Sequence, residues 1–236
     1  MIEQMSRENG YPVPGTVINN ADTTVVRMMA KINQAGKELS DLIDFTILTK
    51  EHTFSTASGT AEYALPSDFL RFKGRTQWDR TNTLAYAGPL TARDWQGIKS
   101  GGAVLSRPPS FRVKPSSAVN KFFIEPEPTA TETHVYEYIT NEWVQLASGQ
   151  SEYFDFSGET VADTNTSLID EELLKLYATY MFLESVGLPF AAAQMRAENR
   201  MDRFVGRDGD VPSLSLDGRL EPFYLHAYSN DRSFGL

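Results

Sequence analysis

Between Asp22 and Val205 the spacing of apolar residues changes twice, from three-and-four to two and back again. That double switch excludes an all-α and an all-β chain, because the two periods place side chains on incompatible faces. Val25, Met28, Met29, Ile32, Ala35, Leu39, Leu42 and Ile43 mark one buried face of a long helix, which Asp22 or Thr23 can cap. Gly36 weakens the centre of that helix by about 1 kcal/mol relative to alanine, unless a neighbouring helix packs closely there. Ahead of it, Gly10 to Gly15 carries two prolines and disfavours helix.

From Glu51 to Asp155 short β-branched and aromatic runs take over: Thr53–Thr56, Glu62–Leu65, Phe69–Phe72, Phe111–Lys114, Phe122–Ile124 and Val135–Ile139. Turn signals separate them at Ser58-Gly59, Asn82, Gly101-Gly102, Pro108-Pro109 and Glu125 to Pro128. Tyr136 to Trp143 suggests a late hairpin. Helix is expected to return at Ser167, with Asp170 three residues on as a capping-box variant. Leu173, Leu174, Tyr177 and Met181 form its apolar face, Gly187 and Pro189 end it, and a second helix runs from about Pro189 to Val205.

The expected fold class is therefore α+β. A helical bundle of the long N-terminal helix and the C-terminal helical hairpin (1–50 and 165–207) carries an inserted antiparallel β subdomain (51–164) and an extended C-terminal arm (208–236). The arm keeps Leu214, Leu216, Leu220, Phe223, Tyr224, Leu225 and Tyr228, whereas disordered tails are poor in such residues. An arm awaiting a partner surface and ordinary packing on its own domain both fit.

Charge and composition narrow the partners. With 236 residues and a net charge of -9, the chain lacks the basic excess that a broad phosphate-neutralising surface requires. An acidic wall that DNA slides past fits that charge, and so does plain solubility. The absence of cysteine excludes disulfides, thiolate metal sites and cysteine nucleophiles. The segment Met1 to Glu8 has no apolar core of a secretory signal, and no apolar run approaches the roughly 20 residues that span a bilayer, so no membrane partner is expected.

Catalytic patterns are scarce. His52, His134 and His226 are too scattered in sequence to suggest a zinc set or a triad. Asp163, Asn165 and Ser167 open like a calcium loop, but Leu168 and Leu174 stand where that loop needs Gly and Glu. Asp170-Glu171-Glu172 is what a helix dipole favours in a first turn. Neither a cofactor nor a metal is expected. Arg196, Arg200, Arg203 and Arg207 step by four, three and four along the last helix. A solvated ion-paired face, a contact with the acidic surface of a second subunit, and contact with DNA are the three readings of that stripe. Trp78, Trp95 and Trp143, each flanked by charge, are interface candidates or core residues with a polar handle.

Three segments together resemble the head-to-tail adaptor (connector, head-completion) proteins of tailed bacteriophages, of the podovirus-like kind. They are Phe54 to Phe72 with Tyr63-x-Leu65-Pro66-x-Asp68-Phe69; Trp78-Asp79-Arg80-Thr81-Asn82 leading to Gly88-Pro89-Leu90 and Asp94-Trp95-Gln96; and Tyr138-Ile139 with Trp143, followed by Asp163-x-x-x-Ser167-Leu168-x-x-Glu171-x-Leu173-Leu174 and the helical hairpin. The resemblance implies a non-enzymatic virion protein at the head-tail junction, made in the host cytoplasm. Such adaptors bind the portal ring, assemble as a homo-oligomeric ring, commonly a dodecamer, extend the DNA channel and dock a tail or nozzle protein. Double-stranded DNA passes through without sequence-specific binding. It further implies that a C-terminal arm, here with the apolar residues from Leu214 to Tyr228, reaches along the portal. The competing readings are another tail-completion or baseplate protein, and a cell-wall hydrolase using carboxylates such as Glu125 and Glu127, whose Pro-Glu-Pro setting argues for a rigid loop.

Overall fold

In the computed structural model, residues 1–17, 20–101, 108–117, 119–146, 152–153, 156 and 164–208 are described. In chain order they form α1 (Ile2–Glu8), α2 (Thr23–Leu42), β1 (Thr49–Ser55), β2 (Glu62–Ala64), β3 (Phe69–Phe72), β4 (Trp78–Asp79), β5 (Leu84–Ala85) and α3 (Ala92–Lys99). Then come β6 (Ser110–Ser116), β7 (Val119–Glu125), β8 (Thr133–Thr140), β9 (Val144–Gln145), β10 (Glu152–Tyr153), β11 (Thr166–Ser167), α4 (Glu171–Ser185) and α5 (Ala191–Asp208). The chain is mixed α+β with antiparallel sheets, and it divides into two compact units.

The first unit comprises Met1–His52, Leu65–Gly74 and Tyr136–Gly209. Asp22 starts α2 by accepting hydrogen bonds from the Thr24 and Val25 amides at 2.7 and 3.4 Å, which satisfies two otherwise orphaned donors. Most of the apolar face read from the sequence is buried: Val25, Met28, Ile32, Ala35 and Leu39 enter a single cluster with Leu173, Leu174, Ala178 and Phe182 of α4, whereas Leu42, the last residue of α2, is 63% exposed. The helix ends where the Arg71 guanidinium of β3 donates to the carbonyls of Ser40 and Ile43 and pairs with Asp44 at 2.7 Å. A cation at that end also suits the helix dipole. Two features of this unit depart from the sequence reading. The chain is already helical at Ile2, where Ile2 and Met5 of α1 join the core. The α4 helix is capped by Asp170, whose carboxylate accepts from the Leu173 amide at 2.8 Å, while Ser167 pairs with Val144 as part of β11. Ser167 is therefore strand, because a backbone ladder claims it before any helix can. The end of α4 matches expectation: Gly187 takes φ of +73°, where a side chain is disfavoured, and the Leu188 amide returns to the Leu183 carbonyl at 2.9 Å.

The close neighbour that Gly36 requires is an indole rather than a helix. A Cβ at Gly36 would stand 2.2 Å from a ring carbon of fully buried Trp143. The late hairpin expected at 136–143 does not form. The end of β8 pairs with β3, Thr140 facing Phe69, and β9 pairs with β10 and β11. Between them the Asn141 amide donates to the Asp68 carbonyl at 2.8 Å, tying the chain to the β3 side.

The second unit contains Thr53–Ala64 and Arg75–Val135. Here β7 lies between β2 and β6, and its alternation buries Phe122 and Ile124 while Lys121 and Phe123 stay half-covered. Phe122 stacks on Phe111 with ring centroids 4.8 Å apart. Pro115 is accommodated because β6 is an edge strand in that sheet. In the same unit β4 pairs with β5 and with the start of β8, Asp79 facing His134.

Candidate functional site

The residues singled out in the sequence separate into three places. On α5, Ala197 is buried, and Phe204 packs edge-on against Phe45 at 5.3 Å. Arg196 and Arg203 are exposed, whereas Arg200 turns inward and grips Asp170, its Nη2 reaching both carboxylate oxygens at 3.0 and 2.9 Å. The stripe is thus divided. Arg200 secures the cap of α4, and Arg196 and Arg203 are left facing solvent beside Met195, which is 64% exposed. The Arg207 side chain and the segment from Leu214 to Tyr228 lie outside the described residues. Arg200→Ala is expected to lower stability by about 1 kcal/mol, since solvent screens a partly exposed pair, while Arg196→Ala and Arg203→Ala stay within about 0.5 kcal/mol. Thermal denaturation of the three variants checks this.

The tryptophans also part company. Trp95 of α3 is only 2% exposed. Its ring meets Phe123 edge-on, and the Lys99 and Lys114 ammonium groups stand 5.9 and 5.8 Å from its centroid. These contacts use the indole as a core residue with cations over it. Trp78 of β4 is half-buried and pairs in register with Ala85 and Val135.

The motifs behind the resemblance prove to be polar junctions. In the first unit Asp68 accepts from the Lys50 ammonium at 2.8 Å, the Thr140 hydroxyl at 2.9 Å and the Tyr138 hydroxyl at 3.0 Å, with its side chain 12% exposed. Burial pushes its carboxyl upward, but the bonds from Lys50, Thr140 and Tyr138 outweigh it and hold the group below its ordinary value. Glu142 adds a second contact to Lys50 at 3.3 Å. In the second unit Asp79 accepts from the Asn82 amide at 3.0 Å and from the Asn82 side chain at 2.7 Å, closing the β4–β5 turn. The Asn82 side chain also donates to Glu132 at 2.9 Å, and the Thr133 amide donates to the Thr81 hydroxyl at 2.8 Å. Gly88 carries φ of +150°, and a Cβ there would sit 2.6 Å from the Phe111 carbonyl, so the Gly88-Pro89-Leu90 segment needs its glycine.

His134, one of three scattered histidines in the sequence, sits within this second junction. Its Nδ1 is 2.7 Å from the Tyr86 hydroxyl, and its Nε2 is 3.5 Å from Glu132. Burial lowers the imidazole's proton affinity more than Asp79 and Glu132 raise it, which favours the neutral ring. Burial likewise raises the Tyr86 phenol well above its usual range. Sequence spacing missed this group because its members come from a turn and from a strand start far along the chain. The signal that could have located it is the Trp78–Asn82 motif itself.

Among the described residues no helix is long and apolar enough to cross a membrane. Residues 14–217 match the SU10 adaptor protein family, and the chain belongs to that family, a phage adaptor family. Comparison with curated proteins finds no significant match.

Proposed function

We propose that this protein is a head-to-tail adaptor that binds the portal ring, assembles there as a homo-oligomeric ring of dodecamer size, extends the DNA channel and docks a tail or nozzle protein. The observation that carries the reading is membership of a phage adaptor family across residues 14–217. The division of the Arg stripe supports it: Arg196 and Arg203 on α5 face solvent, so an acidic surface on a neighbouring subunit can meet them without disturbing the fold. The acidic balance of the chain suits a channel that DNA must leave quickly. In this reading the apolar residues from Leu214 to Tyr228 belong to an arm that docks on the portal.

Sedimentation of the purified protein, alone and mixed with portal rings of the same phage, tests the proposal. The expected result is a small species alone and a saturating, ring-sized complex with portal. Arg196→Glu combined with Arg203→Glu is expected to weaken that complex at least tenfold while leaving the isolated protein folded. Absence of co-sedimentation across a range of salt concentrations would overturn the adaptor reading and move a tail-completion role to first place.

A further inference from the structure

In the second unit, Asp79, Glu132 and His134 bring two carboxylates and one imidazole together, with one ligand atom from each lying within 4.8 Å of the others. A divalent ion held at about 2.1 Å from each needs separations of roughly 3–4 Å, a contraction within the reach of side-chain movement. Two features separate this group from an ordinary acidic cluster. The first is His134: the residue is 2% exposed, and its Nε2 has no hydrogen-bond partner among the described residues. A buried imidazole nitrogen held 3.5 Å from the Glu132 carboxylate without a well-formed hydrogen bond is a costly arrangement, and an ion shared between the two would relieve it. The second is the support around the ligands. Tyr86 engages Nδ1 at 2.7 Å, and the His134 ring stacks on Phe54 with centroids 5.6 Å apart. With Nδ1 donating to the phenol oxygen, the Nε2 lone pair is free to ligate. Asn82 donates to both Asp79 and Glu132, so a single side chain orients the two carboxylates.

The geometry points to a divalent transition-metal site formed by Asp79, Glu132 and His134, in which the ion pins the β4–β5 turn to the start of β8. The donor set of one nitrogen and two carboxylate oxygens suits zinc or manganese better than the all-oxygen preferences of magnesium and calcium. Three protein ligands leave the remaining positions to water, and Glu132, 22% exposed, provides the route in. The role is structural: the bound ion joins two chain segments that come together only in the folded unit.

Isothermal titration of the chelator-treated full chain with zinc chloride, with magnesium chloride as control, is the test. One equivalent of zinc is expected to bind, with a rise in Tm and no response to magnesium. Glu132→Gln and His134→Gln are each expected to weaken binding at least tenfold, and His226→Gln to leave it unchanged. Because His134→Gln removes a buried ring and can itself unfold the unit, nitrogen NMR of the wild-type histidines gives an independent readout. Zinc should move the Nε2 resonance of His134 and leave those of His52 and His226 in place. No bound equivalent, an affinity unchanged in Glu132→Gln, or a shift confined to the other two histidines would each overturn the assignment.

Discussion

Trp143→Ala is expected to cost about 4 kcal/mol and to lower Tm by roughly 10 °C, the largest effect of any single substitution considered for this chain. The indole is fully buried in the helical core, meets Phe156 edge-on at 5.3 Å and fills the notch that Gly36 leaves in α2. Gly36→Ala attacks the same contact from the other side. In an open helix it would gain about 1 kcal/mol of propensity, but here the new methyl lies 2.2 Å from a ring carbon. A buried ring cannot swing aside as the end of a flexible chain can, so a net loss of about 2 kcal/mol is expected. The pair should be strongly non-additive. In Gly36→Ala/Trp143→Ala the methyl enters vacated space, and the double variant should lose less than the sum of the singles. A denaturant-melt cycle over the four proteins measures that coupling, and simple additivity would show that the notch is not shaped by the indole.

The second large effect is expected at Asp68. Asp68→Ala removes the acceptor shared by Lys50, Tyr138 and Thr140 and strands their donors in a partly buried site, at about 2–3 kcal/mol. Its pH dependence has a definite sign. The folded carboxyl titrates below its ordinary value of 3.8, so the unfolded chain binds the proton more readily. The stability it contributes is complete above that value and is lost as pH falls through the lower, folded value. Asp68→Asn should therefore be less stable than the wild type at neutral pH, and the gap should narrow below about pH 4. Urea melts between pH 3 and 7 would show it. A gap that stays constant with pH would mean that charge is not what Asp68 supplies.

These two sites mark the boundary between what is local and what is not. The α2 helix, its Asp22 cap and the stop at Gly187 are legible in the residues themselves, because capping and helical periodicity involve groups within a turn of one another. The strands at Phe69–Phe72 and Phe122–Ile124 are legible because a short aromatic or β-branched run is a local signal. Strand partners are another matter. The Tyr136–Trp143 stretch has the composition of a hairpin, yet β8 ends on β3 and β9 goes to β10 and β11. Backbone ladders are chemically alike, so side-chain packing on each face decides among them.

The candidate sites divide in the same way. The Arg stripe is visible as a four-three-four rhythm, but only the folded chain assigns Arg200 to Asp170 and leaves Arg196 and Arg203 to solvent. The Asp68 junction joins groups as far as 92 residues apart, and the Tyr86–His134 contact spans 48. By itself the sequence determined the α+β class, the helix limits near their caps, and a family resemblance carried by residues that turn out to be turn-closers and acceptors. The tertiary structure alone decided which indole fills Gly36, which carboxylates face His134, and which Arg side chains of α5 stay exposed. Those choices depend on side chains meeting through space after distant segments are buried together, and no pattern confined to neighbouring residues encodes them.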